Sequence, residues 1–215
     1  MTTIGIIGSG NIGSNVARAA IAAGYDVLLS NSRGPETLAD LIEELGARAE
    51  AVQPAQAAAE ADLVLVAVPL RAIRDLPLDA LAGKVVMDAN NYYPQRDGRI
   101  AALDANESTT SQLLQDLIPA ARVVKAFNHI YAREIPTTGL PAGDPERRAL
   151  AIAGGDDAAK ALVASFLDSL GFDAVDLGPL SESWRVERDT PAYGPRVTRA
   201  QLEAILPTVE RVRQI

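Results

Sequence analysis

Residues 4–13 read Ile4-Gly5-Ile6-Ile7-Gly8-Ser9-Gly10-Asn11-Ile12-Gly13, and this stretch decides the fold. A short apolar run passes straight into Gly-x-Gly-x-x-Gly. A helical pattern follows at once, with Ile12, Val16, Ala19, Ala20 and Ala23 recurring at helical spacing. Strand, glycine turn and helix in that order is the setting in which this motif holds the pyrophosphate of a dinucleotide. Gly8 allows the tight turn off the strand, Gly10 lets a pyrophosphate approach the backbone, and Gly13 lets the helix pack close to the strand. Together with Ser9, Asn11 and Ile12 they form the candidate cofactor loop. Its free N–H groups and the positive end of the helix dipole favour phosphate.

Outward from that turn, apolar runs alternate with helical patterns. Strands are expected at 26–30, 47–51, 63–67, 84–88, 122–127, 150–153 and 173–177. Helices are expected at 11–23, 35–45, 54–60, 70–76, 110–118, 157–170 and 198–212, the last interrupted by Pro207. On the 157–170 helix, Leu162, Val163, Phe166, Leu167 and Leu170 form the expected apolar face. The pattern predicts an α/β fold: a doubly wound, mostly parallel Rossmann sheet with a short C-terminal extension. Residues 1–178 are assigned to the dinucleotide-binding domain. Residues 179–215 are assigned to a loop and helix that complete an acceptor site or a dimer interface.

Composition excludes several classes. The 215 residues carry a net charge of −8, so there is no basic stripe for nucleic acid. There is no cysteine and one histidine, His129, which removes disulfides, thiol catalysis and Cys- or multi-His metal sites. No metal is expected. No signal-peptide pattern precedes the first strand, and no apolar run nears the roughly 20 residues of a membrane span. A cytoplasmic protein without membrane or nucleic-acid partners is the expectation.

Four further stretches carry chemistry. At the end of the second strand, Asn31-Ser32-Arg33 occupies the position that meets the adenosine ribose in this fold. There is no carboxylate there to select NAD. Arg33 can fork onto a 2′-phosphate and Ser32 can donate to it, which predicts NADP(H). Ala67-Val68-Pro69 and Asn90-Asn91 end later strands and should face the nicotinamide half. Asn128-His129 ends another strand, with His129 a candidate for proton transfer or for a structural hydrogen bond. Lys125, within that strand, should pair rather than catalyse. The segment from Gly178 to Pro195, with Trp184, Arg185, Arg188 and Tyr193, could close over a flat acceptor or anchor an interface.

Gly8 to Gly13, Ser32-Arg33, Val68-Pro69, the 123–129 stretch, Gly154-Gly155-Asp156-Asp157 and Asp176 to Leu180 fall in an order that resembles the NADPH:coenzyme F420 oxidoreductases, relatives of the Steap oxidoreductase domain. That resemblance implies direct hydride transfer between the nicotinamide and a stacked deazaflavin, and a homodimer. It spans most of the chain. Asn128-His129 and the Asn90-Asn91-Tyr92-Tyr93 loop depart from the family pattern. The small-molecule acceptor therefore stays open among coenzyme F420, a flavin, and a carbonyl or imine. A non-catalytic NADPH sensor is the reading from another class.

Overall fold

The computed structural model describes residues 2–213. An eight-stranded sheet runs through the molecule in the order β3-β2-β1-β4-β5-β6-β7-β8. The strands are β1 (Thr3–Ile7), β2 (Asp26–Ser30), β3 (Ala49–Ala51), β4 (Leu63–Val66), β5 (Val85–Asp88), β6 (Arg122–Lys125), β7 (Ala149–Gly154) and β8 (Asp173–Asp176). The helices are α1 (Asn11–Ala22), α2 (Ala39–Leu45), α3 (Pro54–Glu60), the single turns α4 (Pro94–Asp97) and α5 (Ala101–Asp104), α6 (Thr110–Leu117), α7 (Asp157–Ser169) and α8 (Arg199–Ile205). This is the expected Rossmann-like α/β architecture.

Both faces of the sheet are covered, which is why its strands read as unbroken apolar runs. On one face Ile4, Ile6, Leu29, Leu65 and Met87 pack with α1 and α7. On the other, Ile7, Val64, Val66, Val86 and Val123 pack with α3 and α6. A third cluster joins Ala149, Ala151 and Val175 to Val186, Ala192, Leu202 and Leu206, so the segment after residue 178 covers β7 and β8.

The sheet has one reversal. β6 and β7 pair antiparallel, with Lys125 opposite Ala153, whereas every other neighbouring pair is parallel. The connection from β6 to β7 carries only a short 3-10 turn, Ala132–Glu134, and antiparallel neighbours need no helical crossover. The carboxyl ends of β1, β2, β4, β5 and β6 therefore share one edge, and those of β7 and β8 lie at the other.

Local departures from expectation have local causes. β6 stops at Lys125 because Phe127 turns left-handed, with φ = 61°. The 35–45 helix begins as a 3-10 turn, Pro35–Leu38, and the 70–76 helix is 3-10 over Leu70–Asp75. The last helix ends at Ile205. A 3-10 turn, Leu206–Thr208, follows because Pro207 has no N–H to continue it. Leu162 is exposed, since the buried stripe of α7 runs through Ala159, Val163, Phe166 and Leu167.

Candidate functional site

A cleft of about 420 Å³ opens at the edge where β1, β4, β5 and β6 end. One half is built from Gly10, Asn11 and Ile12, from Ala67, Val68 and Pro69 beyond β4, and from Ala89 and Asn90 beyond β5. The other half is built from Asn91, Tyr93 and Arg96, from Asn128 and Ile130 to Ala132, and from Tyr193. We call these the glycine half and the tyrosine half.

The glycine half has the form of an anion cradle. Gly8 has φ = 111°, and a Cβ there would lie 2.3 Å from the Ala67 carbonyl oxygen. A Cβ on Gly13 would lie 1.8 Å from the Gly8 oxygen. Both are therefore glycine for the protein's own sake. Gly10 is not: its φ is −71°, open to any residue, and a Cβ would meet no atom within 4 Å. The space in front of it is what a side chain would fill. α1 begins there without a side-chain cap and without an acidic residue in its first turn. By contrast α6 has a complete capping box and α7 is capped by Asp156.

Asn90 closes this half. Its Oδ1 accepts from the Val68 N–H at 3.2 Å, which ties the two strand ends together. Its Nδ2 is buried with no partner among the described residues, an unmet donor at the cleft wall. Asn31 links the glycine turn to the end of β2. Its Oδ1 accepts from the N–H groups of Arg33 and Gly34 at 2.8 and 3.0 Å, and its Nδ2 donates to Ser9 Oγ at 3.3 Å. Ser32 and Arg33 are exposed beside it, and the Arg33 guanidinium makes no hydrogen bond or ion pair with the described residues. An uncapped helix start, an open Gly10, an orphaned Asn90 amide and an unpaired arginine at the end of β2 fit a dinucleotide phosphate.

Below the floor lies a buried ionic cluster. Lys125 Nζ donates to Asp88 Oδ2 at 3.3 Å, to the Asn90 carbonyl at 2.5 Å and to Thr110 Oγ1 at 2.7 Å. All three of its protons are committed, so it pairs, as expected, and cannot reach a ligand. Ser111 Oγ donates to Asp88 Oδ2 at 2.5 Å, and Glu187 accepts from the Thr110 N–H and hydroxyl at 3.2 Å each.

His129 does not line the cleft. Its Nε2 accepts from the Ala151 N–H at 3.0 Å, which fixes the ring proton on Nδ1, 3.2 Å from Asn128 Oδ1. Burial, with Arg148 and Lys125 nearby, pushes its pKa down to about 3. The imidazole is neutral and both nitrogens are occupied. It orients Asn128, and its placement at a strand end does not make it a proton donor to the cleft. Asn128 does face the cleft. Its Nδ2 donates to the Val186 carbonyl at 2.7 Å and to Asn91 Oδ1 at 3.2 Å.

The tyrosine half joins Asn91, Asn128 and Tyr193, each expected near a ligand from the sequence, to Tyr93 and Tyr131, which were not. Asn91 Nδ2 donates to the Asn128 carbonyl at 2.7 Å, and the Tyr93 and Tyr193 hydroxyls lie 3.1 Å apart. The Arg96 and Arg188 guanidiniums each sit 4.7 Å from the Tyr93 ring centre. Three of the chain's five tyrosines line this half, and that concentration in an aromatic-poor chain was the available signal. Trp184 is elsewhere. It stacks under Arg185 at 4.5 Å and faces a separate pocket with Leu103 and Arg211. Gly154 to Asp157 and Asp176 to Gly178 also lie away from the cleft, at the opposite edge. There Asp156 caps α7 and Asp176 accepts from the Gly178 N–H.

Comparison with known proteins agrees with this geometry. The family model described as NADP oxidoreductase, coenzyme F420-dependent, matches residues 3–92. A hypothetical protein of Sinorhizobium meliloti of known structure is 33% identical, with a TM-score of 0.80 over 93% of this chain and 96% of that one. A structure from Arthrobacter sp. FB24, assigned as an F420-dependent NADP reductase, is 27% identical, with a TM-score of 0.73 over 85% of this chain and 87% of that one. The metalloreductase STEAP3 of Rattus norvegicus is 31% identical over 86% of this chain, which spans 35% of that protein's length. With the glycine half formed by the same turn and strand ends that the family model matches, the chain belongs to the coenzyme F420-dependent NADP oxidoreductase family.

Proposed function

We propose that the glycine half binds NADP(H) and that the tyrosine half receives a small-molecule acceptor, with hydride passing between them. The observation that carries this reading is Gly10. Neither its backbone angle nor its packing calls for glycine, so the missing side chain serves a ligand. Gly8, Ser9, Asn11, Ile12 and Gly13 form the pyrophosphate turn, and Ala67, Val68, Pro69 and Asn90 bound the nicotinamide. Asn31, Ser32 and Arg33 hold the adenosine end, with Arg33 as the ligand of a 2′-phosphate. NADPH supplies a hydride when bound. The chain's task is to align two reactants and exclude water between them. Coenzyme F420 is the acceptor that the family suggests, with a flavin next. A cytoplasmic homodimer belongs to the same reading.

Gly10→Ala tests it. The fold accommodates the methyl, so the melting temperature should hold while NADPH affinity falls about tenfold or more, a loss of roughly 1.4 kcal/mol. Unchanged NADPH affinity by fluorescence titration would remove the pyrophosphate from this turn.

A further inference from the structure

Resting on that reading, we propose that the paired hydroxyls of Tyr93 and Tyr193 are the proton source for the acceptor. Among the residues lining the cleft, the ionisable side chains are Arg96 and the tyrosines 93, 131 and 193. A guanidinium is not a proton donor in acid catalysis, and the Nε and Nη2 of Arg96 are committed to Asp97 and the Asn91 carbonyl. His129 and Lys125 stand behind the wall with every nitrogen engaged. Tyr131 is 56% exposed at the rim.

Tyr93 and Tyr193 are half-buried, and their oxygens lie 3.1 Å apart. Two phenols carry two protons, and one proton suffices for the bond between them. Asn91 Nδ2 lies 3.5 Å from the Tyr193 oxygen and donates toward it. One O–H is therefore always left over, and no described residue takes it. Burial and the neighbouring Tyr93 raise the Tyr193 pKa, so the Tyr193 phenol keeps its proton in neutral solution.

The substrate class is an electrophilic carbon doubly bonded to, or conjugated with, oxygen or nitrogen. Hydride forms the new C–H bond at that carbon. The π pair moves onto the heteroatom, and the phenolic O–H breaks and gives its proton there. The phenolate regains a proton from water through its partner hydroxyl. A deazaflavin ring and a small carbonyl or imine both meet this description.

The test uses the full chain, Tyr93→Phe, Tyr193→Phe and the double variant. Two probes are used: oxidised coenzyme F420 and a panel of small ketones and cyclic imines. NADPH affinity is measured first and should stay within about twofold of wild type, which also reports that each variant is folded. Turnover of the accepted probe should fall on the order of 10²-fold. The solvent isotope effect on the wild-type rate should be lost in the double variant. Binding of the accepted oxidised probe to the NADP⁺-loaded protein should weaken several-fold. Which probe is accepted separates a deazaflavin from a simple carbonyl or imine. A wild-type chain that reduces probe while all three variants keep its rate and affinity overturns the tyrosine assignment alone. A wild-type chain that binds NADPH and reduces neither probe overturns the oxidoreductase reading and the assignment with it.

Discussion

Arg33 and His129 show how far a single side chain carries an argument. Arg33 is exposed and unpaired, so removing it should leave the fold intact. Arg33→Ala should weaken NADPH by roughly ten- to a hundredfold, as for a lost charge-assisted contact, and NADH by less than about twofold. Parallel titrations of the two nucleotides decide it. His129 makes a different prediction. Its native pKa of about 3 lies below the ordinary histidine value of 6.5, so the unfolded chain binds the extra proton between those values. Stability is then complete above about pH 6.5 and falls as pH drops toward 3, by about 1.4 kcal/mol per unit once below 6.5. Urea denaturation at a series of pH values should show this slope in wild type and lose it in His129→Gln, whose amide oxygen can still accept from Ala151. Sequence placed His129 correctly at a strand end. It could not show that the next strand returns antiparallel and offers its backbone N–H to the ring.

At the scale of elements, the ionic cluster joins β5, β6, the start of α6 and the segment at Glu187. Lys125→Met would leave the fully buried Asp88 without its cation, a loss of roughly 3–5 kcal/mol. Asp88→Asn combined with Lys125→Met should recover part of that loss, and a double-mutant cycle by denaturation measures the coupling. The elements from β1 to β5 were legible because apolar runs, prolines and glycines bound them locally. The glycine turn was legible for the same reason. The tyrosine half was legible only as separate pieces, not as one wall. Asn91, Asn128 and Tyr193 converge through long-range contacts that leave no periodicity in the chain. The motifs Gly154 to Asp157 and Asp176 to Gly178 marked the family, yet they build a strand end and a helix cap remote from the cleft.

Across the whole molecule, the C-terminal segment is part of the core. Val186, Ala192, Leu202 and Leu206 cover β7 and β8, while the buried Arg148 donates to the carbonyls of Gly194 and Pro195 at 3.2 Å each. A chain ending at Gly178 should therefore lose its cooperative thermal transition, as seen by circular dichroism. A folded, NADPH-binding 1–178 fragment would instead make the extension an appendage. Tyr93 and Tyr193 meet across a hundred residues of sequence, whereas the glycine half draws on nothing beyond Asn90. Synthesis from the N-terminus thus has a built-in order. The glycine turn leaves the ribosome with its strand ends, and the facing wall waits until Tyr193 has emerged. On the proposed reading, the donor's half of the cleft is encoded within the first ninety residues, yet neither half can work until the C-terminal segment has closed the core and delivered Tyr193.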